Sequence, residues 1–136
     1  MINFKSQILI TQKLIQKYFL RQNHGSVVAV SSSAAKFANS GRLAYAASKS
    51  ALTTAMRIFS RELGSRSIRF NCISPGLTET KLMRRSTNEK AIEPYLENTD
   101  LKKIAGANQI APLILFLLSN ESDHITGQDI SIDGGI

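Results

Sequence analysis

Tyr45 and Lys49 lie four residues apart in a run rich in Ala and Leu. If that run is a helix, the phenol and the ammonium share one face, a turn apart. A free phenol ionises near pH 10, too high for a base at neutral pH. Making it one takes about 4 kcal/mol of preferential stabilisation of the phenolate. A single cation about 5 Å away, at an effective dielectric of roughly 20, gives roughly 3 kcal/mol. Lys49 is the cation at hand, and a bound cationic ring could supply the rest. Ser32, within Ser31-Ser32-Ser33, adds a hydroxyl that could hold a carbonyl oxygen beside Tyr45. The chemistry on offer is proton transfer to or from the oxygen of a carbonyl or an alcohol. Taken alone, the same spacing also fits an ordinary surface pair.

The elements around these residues are legible from their patterns. Residues 3–22 carry Phe4, Ile8, Leu9, Leu14, Ile15 and Phe19 near helical spacing, with basic residues between them. Gln22-Asn23-His24-Gly25 closes that helix. Val27 to Val30 is a short continuous apolar run, the pattern of a strand buried on both faces of a parallel sheet. Residues 34–43 read as a loop with Asn39-Ser40-Gly41 as turn residues. Residues 44–63 form a strong helix, with Ala44, Ala47, Ala51, Ala55 and Phe59 along one side and Gly64 as its stop. Ile68 to Ile73 is a second strand, ended by Ser74-Pro75-Gly76. Residues 77–107 are the least regular part, read as short helices within a mobile excursion. Residues 108–118 form a helix with Pro112 in its first turn. Asn120 to Gly127 is a loop, Gln128 to Asp133 a third strand, and Gly134-Gly135 a break. Alternating helices and strands predict a parallel α/β sheet with right-handed crossovers. Ligands in such sheets bind beyond the carboxyl ends of the strands, where Ser31–Ser33 and Ser74–Gly76 both fall.

Composition narrows the function classes. A chain of 136 residues fits one domain, and 43% hydrophobic with 20% charged residues is ordinary for a globular fold. One cysteine excludes an internal disulfide framework and a cysteine-rich zinc site. Cys72 reads as a small buried hydrophobe, and nothing pairs His24 with His124 as metal ligands, so no metal is expected. The longest apolar run, Leu113 to Leu118, is far short of the roughly 20 residues a membrane span needs. The net charge is +7, but residues 1–60 hold eight basic and no acidic residues, while residues 61–136 carry −1. Such a bias could attract nucleic acid, an anionic lipid surface or a phosphorylated ligand. It also fits Lys5, Lys13, Lys17 and Arg21 as the wet face of one helix. No nucleic-acid motif accompanies it, so neither nucleic acid nor membrane is the expected partner. The basic, acid-free segment 1–22 has the character of a transit peptide as well, but with no clear address the expected location is cytoplasmic.

The motifs together resemble the short-chain dehydrogenase/reductase family. Tyr45-Ala46-Ala47-Ser48-Lys49 matches its YxxxK signature, and Ser32 lies thirteen residues earlier, as its catalytic serine does. Asn3 matches the asparagine that completes its tetrad. Asn71-Cys72-Ile73-Ser74-Pro75-Gly76 resembles the segment bordering the nicotinamide, and Thr80 follows that glycine by four. Ile125-Thr126-Gly127-Gln128 and Ile132-Asp133-Gly134-Gly135 resemble its C-terminal signature. Within the family, the sequence is most similar to the 3-oxoacyl-acyl-carrier-protein reductase group.

The resemblance implies an NAD- or NADP-dependent oxidoreductase acting on a carbonyl, such as a 3-oxoacyl thioester or small ketone, or on the matching alcohol. It makes Tyr45 the general acid/base and gives Lys49 the nicotinamide ribose. Ser32 would position the substrate carbonyl and Asn3 support a water in the proton relay. Pro75, Gly76 and Thr78, with the Thr80 hydroxyl, would hold the carboxamide, and residues 78–105 would be a substrate lid. Arg84 and Arg85 on that lid could meet an acidic carrier protein or form a solvated edge. The family's glycine-rich GxxxGxG turn and first four strands have no counterpart. The expected architecture is therefore the C-terminal part of a doubly wound Rossmann-like sheet: about three strands with flanking helices, lacking the N-terminal dinucleotide half. Val27 to Val30 would then be a bare apolar edge. A second reading follows, a truncated non-catalytic remnant that binds a partner chain. The family's dimer contacts imply a homo-oligomer through helices 3–22 and 44–63. The alanine series fits such helix packing, and burial within one chain explains it equally well.

Overall fold

The computed structural model describes residues 2–37, 40–86 and 92–136. Helix α1 (Ile2–Leu14) runs on through a π-helical turn (Ile15–Phe19) and a last α-helical turn (Leu20–Gln22). Of its apolar series, Phe4, Ile8, Ile15 and Phe19 reach the core, while Leu9 and Leu14 stay exposed. In the π turn the Leu20 N–H donates to the Ile15 carbonyl, so one extra residue is wound in. Phe19 and Leu20 can then both pack on the core. Asn23, at φ 48°, takes the left-handed conformation that ends the helix.

Strand β1 (Gly25–Val30), helix α2 (Leu43–Leu63), strand β2 (Ile68–Pro75) and strand β5 (Asp129–Ile132) form the frame of the fold. The three strands make one parallel sheet in the order β1-β2-β5. Val30 pairs with Ile73, and Pro75, at the end of β2, pairs with Ile132. β2 lies at the centre, and its alternate residues feed two cores. Ile68, Phe70 and Cys72 pack with Ala29, Ile15, Leu52 and Met56 under α1 and α2. Ile73 packs on the opposite face with Ile110 and Leu117. Both faces of the sheet are covered, as its unbroken apolar strands predicted.

Helix α2 turns inward a different stripe from the alanine series. Lys49, Leu52, Thr53, Met56 and Ser60 are buried, whereas Ala44 and Ala47 are exposed. Leu52 and Met56 take the core because they withdraw more apolar surface from water than alanine can. Burial within the chain therefore does not account for the start of the alanine series.

The region from 77 to 107 is more tied down than its composition suggests. Besides helices α3 (Lys81–Ser86) and α4 (Ile92–Glu97), it holds two short strands, β3 (Thr78–Glu79) and β4 (Ala105–Gly106). These pair in parallel and join the two ends of the excursion. After α4, the Asp100 and Leu101 N–H groups donate to the Gly135 and Gly134 carbonyls at 2.9 and 3.0 Å. That turn needs glycine at φ +77° and +83°, where a side chain would also strike Thr99 and Asp100. Arg84 pairs with Glu79 on the surface. The Arg85 side chain and residues 87–91 lie outside the described residues, as does Asn39 of the expected Asn39-Ser40-Gly41 turn.

Helix α5 (Ala107–Leu118) starts one residue before the expected position and places Pro112 sixth, beyond the first turn. The missing N–H leaves the Asn108 carbonyl without its helical donor, at an exposed position that water can serve. The far end of α5 is capped from β2: the buried Arg69 guanidinium donates to the carbonyls of Leu117 (3.1 Å), Ser119 (2.9 Å) and Ile125 (3.2 Å). No helix among the described residues is long and apolar enough to cross a membrane.

Candidate active site

The carboxyl end of β1 and the first turns of α2 build the proton-transfer group. Ser31 is buried; its hydroxyl donates to the Lys49 carbonyl at 3.3 Å and accepts from the Thr53 hydroxyl at 3.1 Å. This bonds the strand end directly to the helix that carries Tyr45. Ser32 is extended, and its Oγ accepts the Ala34 N–H at 3.2 Å, capping a single 3₁₀ turn (Ser33–Ala35). An accepting hydroxyl keeps its own proton for donation to another oxygen.

Tyr45 is the third residue of α2 and 37% exposed, while Lys49, one turn on, is 8% exposed. The Lys49 Nζ lies 5.9 Å from the Tyr45 ring centroid, within cation–π range. It also donates to the Val30 carbonyl at 2.7 Å. Burial pulls the Lys49 ammonium below its ordinary pKa, and neighbouring Cys72 opposes the shift. Tyr45 is further set by the Ser48 hydroxyl, which donates to its carbonyl at 2.7 Å.

The second cluster follows β2. The Gly76 N–H donates to the Ile132 carbonyl at 3.2 Å. A β-carbon on Gly76 would lie 2.9 Å from the Asp133 Cα, so only glycine fits this approach. The Thr78 hydroxyl donates to the Gly76 carbonyl at 3.1 Å. The Thr80 hydroxyl accepts the Met83 N–H at 3.0 Å, capping α3 while keeping its own proton.

Asn3 stands apart from this network. It lies on an exposed part of the first turn of α1, where its backbone carbonyl accepts from the Gln7 side chain. The described contacts join Ser32, Tyr45 and Lys49 through β1 and α2; they do not bring the Asn3 side chain to them.

Sequence reasoning missed three supporting groups. Lys36, just past Ser32, reaches across β2 to β5: its Nζ donates to the Ser131 hydroxyl at 2.8 Å and lies 3.4 Å from the Asp129 carboxylate. The Ser74 hydroxyl donates to the other Asp129 oxygen at 2.6 Å. A carboxylate inside an otherwise apolar strand was the available signal for this cluster. The third group is Tyr95, whose hydroxyl sits against Gly76; nothing near it in sequence marks it.

A groove of about 420 Å³ runs beside the first turns of α2, lined by Ala34, Lys36, Phe37, Leu43, Ala46 and Ser50. A smaller cavity of about 90 Å³ lies under Leu77, Tyr95, Leu101 and Ile132. Neither is lined by Tyr45 or Lys49; the proton-transfer pair lies on open surface instead.

Known proteins share this arrangement. A family model described as enoyl-(acyl carrier protein) reductase matches residues 1–136. The 3-oxoacyl-[acyl-carrier-protein] reductase of Thermotoga maritima is 38% identical over 135 residues, covering 99% of this chain and 54% of that protein. The L-xylulose reductase of Caenorhabditis elegans is 33% identical over 135 residues, covering 98% of this chain and 54% of its own length. The solved structure of 4-hydroxyisoleucine dehydrogenase complexed with NADH superposes with a TM-score of 0.92 at 28% identity, covering 98% of this chain and 56% of that one. The chain thus spans about half the length of these relatives and aligns with the C-terminal half of their fold.

Proposed function

Because the chain belongs to the short-chain dehydrogenase/reductase family, we propose that it provides the catalytic half of an NAD(P)-dependent oxidoreductase acting on a carbonyl or the matching alcohol. The observation that carries this is Tyr45 and Lys49 one helical turn apart at the end of β1, with Lys49 desolvated and Ser32 on the adjoining strand end. The relatives named as 3-oxoacyl-acyl-carrier-protein reductases favour a 3-oxoacyl thioester as substrate.

The residues fit the nicotinamide end of such a cofactor. Gly76 leaves bare backbone where a side chain would collide, and Thr78 and Thr80 set hydroxyls on either side of Glu79. Pro75 ends the central strand just before this turn. When bound, the reduced nicotinamide supplies hydride to the carbonyl carbon. Tyr45 then gives its phenolic proton to the carbonyl oxygen, or takes it from the alcohol in the reverse direction. Lys49 favours the phenolate left behind and would hold the ribose hydroxyls. Ser32 orients the carbonyl by donating the proton it retains. Asn3, exposed on α1, would act only through water.

A second reading is a chain that works by binding a partner rather than by catalysis. Its support is unpartnered apolar surface: Val30 at the outer edge of the sheet is 43% exposed, and Leu115 on α5 is 68% exposed. Homo-oligomerisation through α1 and α2 is compatible with both readings, since Leu9, Ile10 and Ala47 face outward there.

The test is a fluorescence titration of NADH and NADPH into the 136-residue chain, with a Tyr45→Phe/Lys49→Ala variant as control. Saturable binding weakened by the double substitution supports the catalytic reading, and turnover of 3-oxoacyl thioesters follows as the assay. A folded chain that binds neither cofactor rejects catalysis by this chain alone and leaves the partner-binding reading.

A further inference from the structure

The Tyr95 side chain connects two regions that the proposed mechanism treats separately. Tyr95 belongs to α4, within the excursion assigned to the substrate side. Its hydroxyl accepts the Leu77 N–H at 2.8 Å and donates to the Asp133 carbonyl at 3.3 Å. The donor and acceptor of one phenol are both used, and both go to backbone. Leu77 lies between Gly76 and Thr78, the residues assigned to the nicotinamide carboxamide.

The surroundings show that this contact is built in. A β-carbon on Gly76 would collide with the Tyr95 hydroxyl, so the glycine admits the phenol as well as the Asp133 backbone. The ring is held from its own helix: the Thr99 hydroxyl donates to the Tyr95 carbonyl at 2.7 Å, and Thr99 is fully buried. Asp100 and Leu101 are bonded to Gly135 and Gly134, so the end of α4 and the turn at 133–135 are already one unit. The other side of Leu77 is occupied as well, because its carbonyl accepts the Ala105 N–H at 3.3 Å. Leu77 is thus clamped at both polar atoms, and Tyr95 is the only side chain in the clamp.

We infer that Tyr95 is a positioning residue for the nicotinamide turn: its hydroxyl fixes the peptide between Gly76 and Leu77 and so sets the backbone that Thr78 and Thr80 present to the cofactor. This rests on the reading of residues 76–80 as the carboxamide site. It adds a residue from the substrate side to cofactor binding and predicts that the two are coupled. A shortened or lost Tyr95 leaves Leu77 with an unpaired N–H at a half-buried position, and the turn gains freedom that cofactor binding must remove.

The experiment compares the wild-type chain with Tyr95→Phe, which keeps the ring, and with Thr99→Val, which weakens the same helix end but spares the phenol. NADH affinity is read by fluorescence, Leu77 amide exchange by NMR or mass spectrometry, and folding by thermal melts. Loss of one neutral hydrogen bond corresponds to roughly fivefold in an equilibrium constant. Tyr95→Phe is expected to speed Leu77 exchange and weaken NADH by about that factor, at a melting temperature like that of Thr99→Val. Thr99→Val is expected to keep wild-type NADH affinity. Unchanged NADH affinity in Tyr95→Phe overturns the inference, even if Leu77 exchange speeds up, because the bond would then exist without positioning anything. Equal weakening in both variants also overturns it, since a loosened helix end would be the cause. A wild-type chain that fails to bind NADH while Leu77 exchange still responds to Tyr95→Phe rejects the cofactor reading itself, and the inference with it.

Discussion

Replacing Gly76 with alanine tests the tightest backbone approach in the candidate site. The new β-carbon would lie 2.9 Å from the Asp133 Cα and 3.0 Å from its Cβ, and would also meet the Tyr95 hydroxyl. Carbon atoms prefer about 3.5 to 4.0 Å, so the two backbone segments must part by at least about 0.6 Å. The Gly76 N–H to Ile132 bond, now 3.2 Å, would stretch to about 3.8 Å and fail. Overpacking of this kind costs about 1–3 kcal/mol, and the lost bond about 1 more. The expected loss is therefore about 3 kcal/mol, or a fall in Tm of roughly 10 °C for a domain of this size. The Tyr95 ring can swing aside and Asp133 Cα cannot, so adding Tyr95→Phe should not rescue the alanine variant. Urea melts followed by far-UV circular dichroism on the single and double variants decide this. Stability within about 0.5 kcal/mol of wild type for Gly76→Ala, or full rescue in the double variant, would refute the reasoning.

Two further outcomes follow from buried groups outside the reaction itself. Arg69→Met removes three donated hydrogen bonds, but each acceptor carbonyl keeps another partner: Ser26 on Leu117, Ser122 on Ser119 and Asn71 on Ile125. The loss should be near the net value of the bonds rather than the cost of orphaned carbonyls, about 2–3 kcal/mol in a urea melt, and a neutral or stabilising result would mean that desolvation of the guanidinium dominates. Cys72 is fully buried, and burial, with the nearby Asp129 charge, pushes its thiol from 9.0 up to about 12. Its folded pKa is raised, so its contribution is complete below pH 9 and is lost as pH rises towards 12, by up to about 4 kcal/mol. Wild type should thus lose stability relative to Cys72→Ala across that window, and parallel pH profiles for the two proteins would count against the burial.

What could be read from sequence was whatever local geometry determines. Tyr45 and Lys49 needed only helical spacing to share a face, and α2 provides it. Val27 to Val30 and Ile68 to Ile73 had no polar residue except Arg69 and Asn71 to break the apolar pattern, and both became strands. The failures share a different cause. Lys36 meets Ser131 across 95 residues and Tyr95 meets Asp133 across 38, so no local pattern marks either contact. The pairing of Thr78 with Ala105 is equally non-local and only two residues long, too short for a periodic signal. The alanine series misled because composition identified small residues without saying which stripe of α2 the larger Leu52 and Met56 would claim.

The Val30 carbonyl has a significance for solubility as well as for catalysis. It closes the outer strand of the sheet, where unpaired backbone groups can template a strand from another molecule. Here that last carbonyl already holds the Lys49 ammonium, so a strand adding at this point must displace a cation and leave its charge buried. Proteins commonly protect such edges with lysines whose only task is to repel neighbours. In this chain the residue that prepares Tyr45 for proton transfer also stands guard at the strand end, and neutralising it would remove the chemistry and open a route to aggregation at the same time.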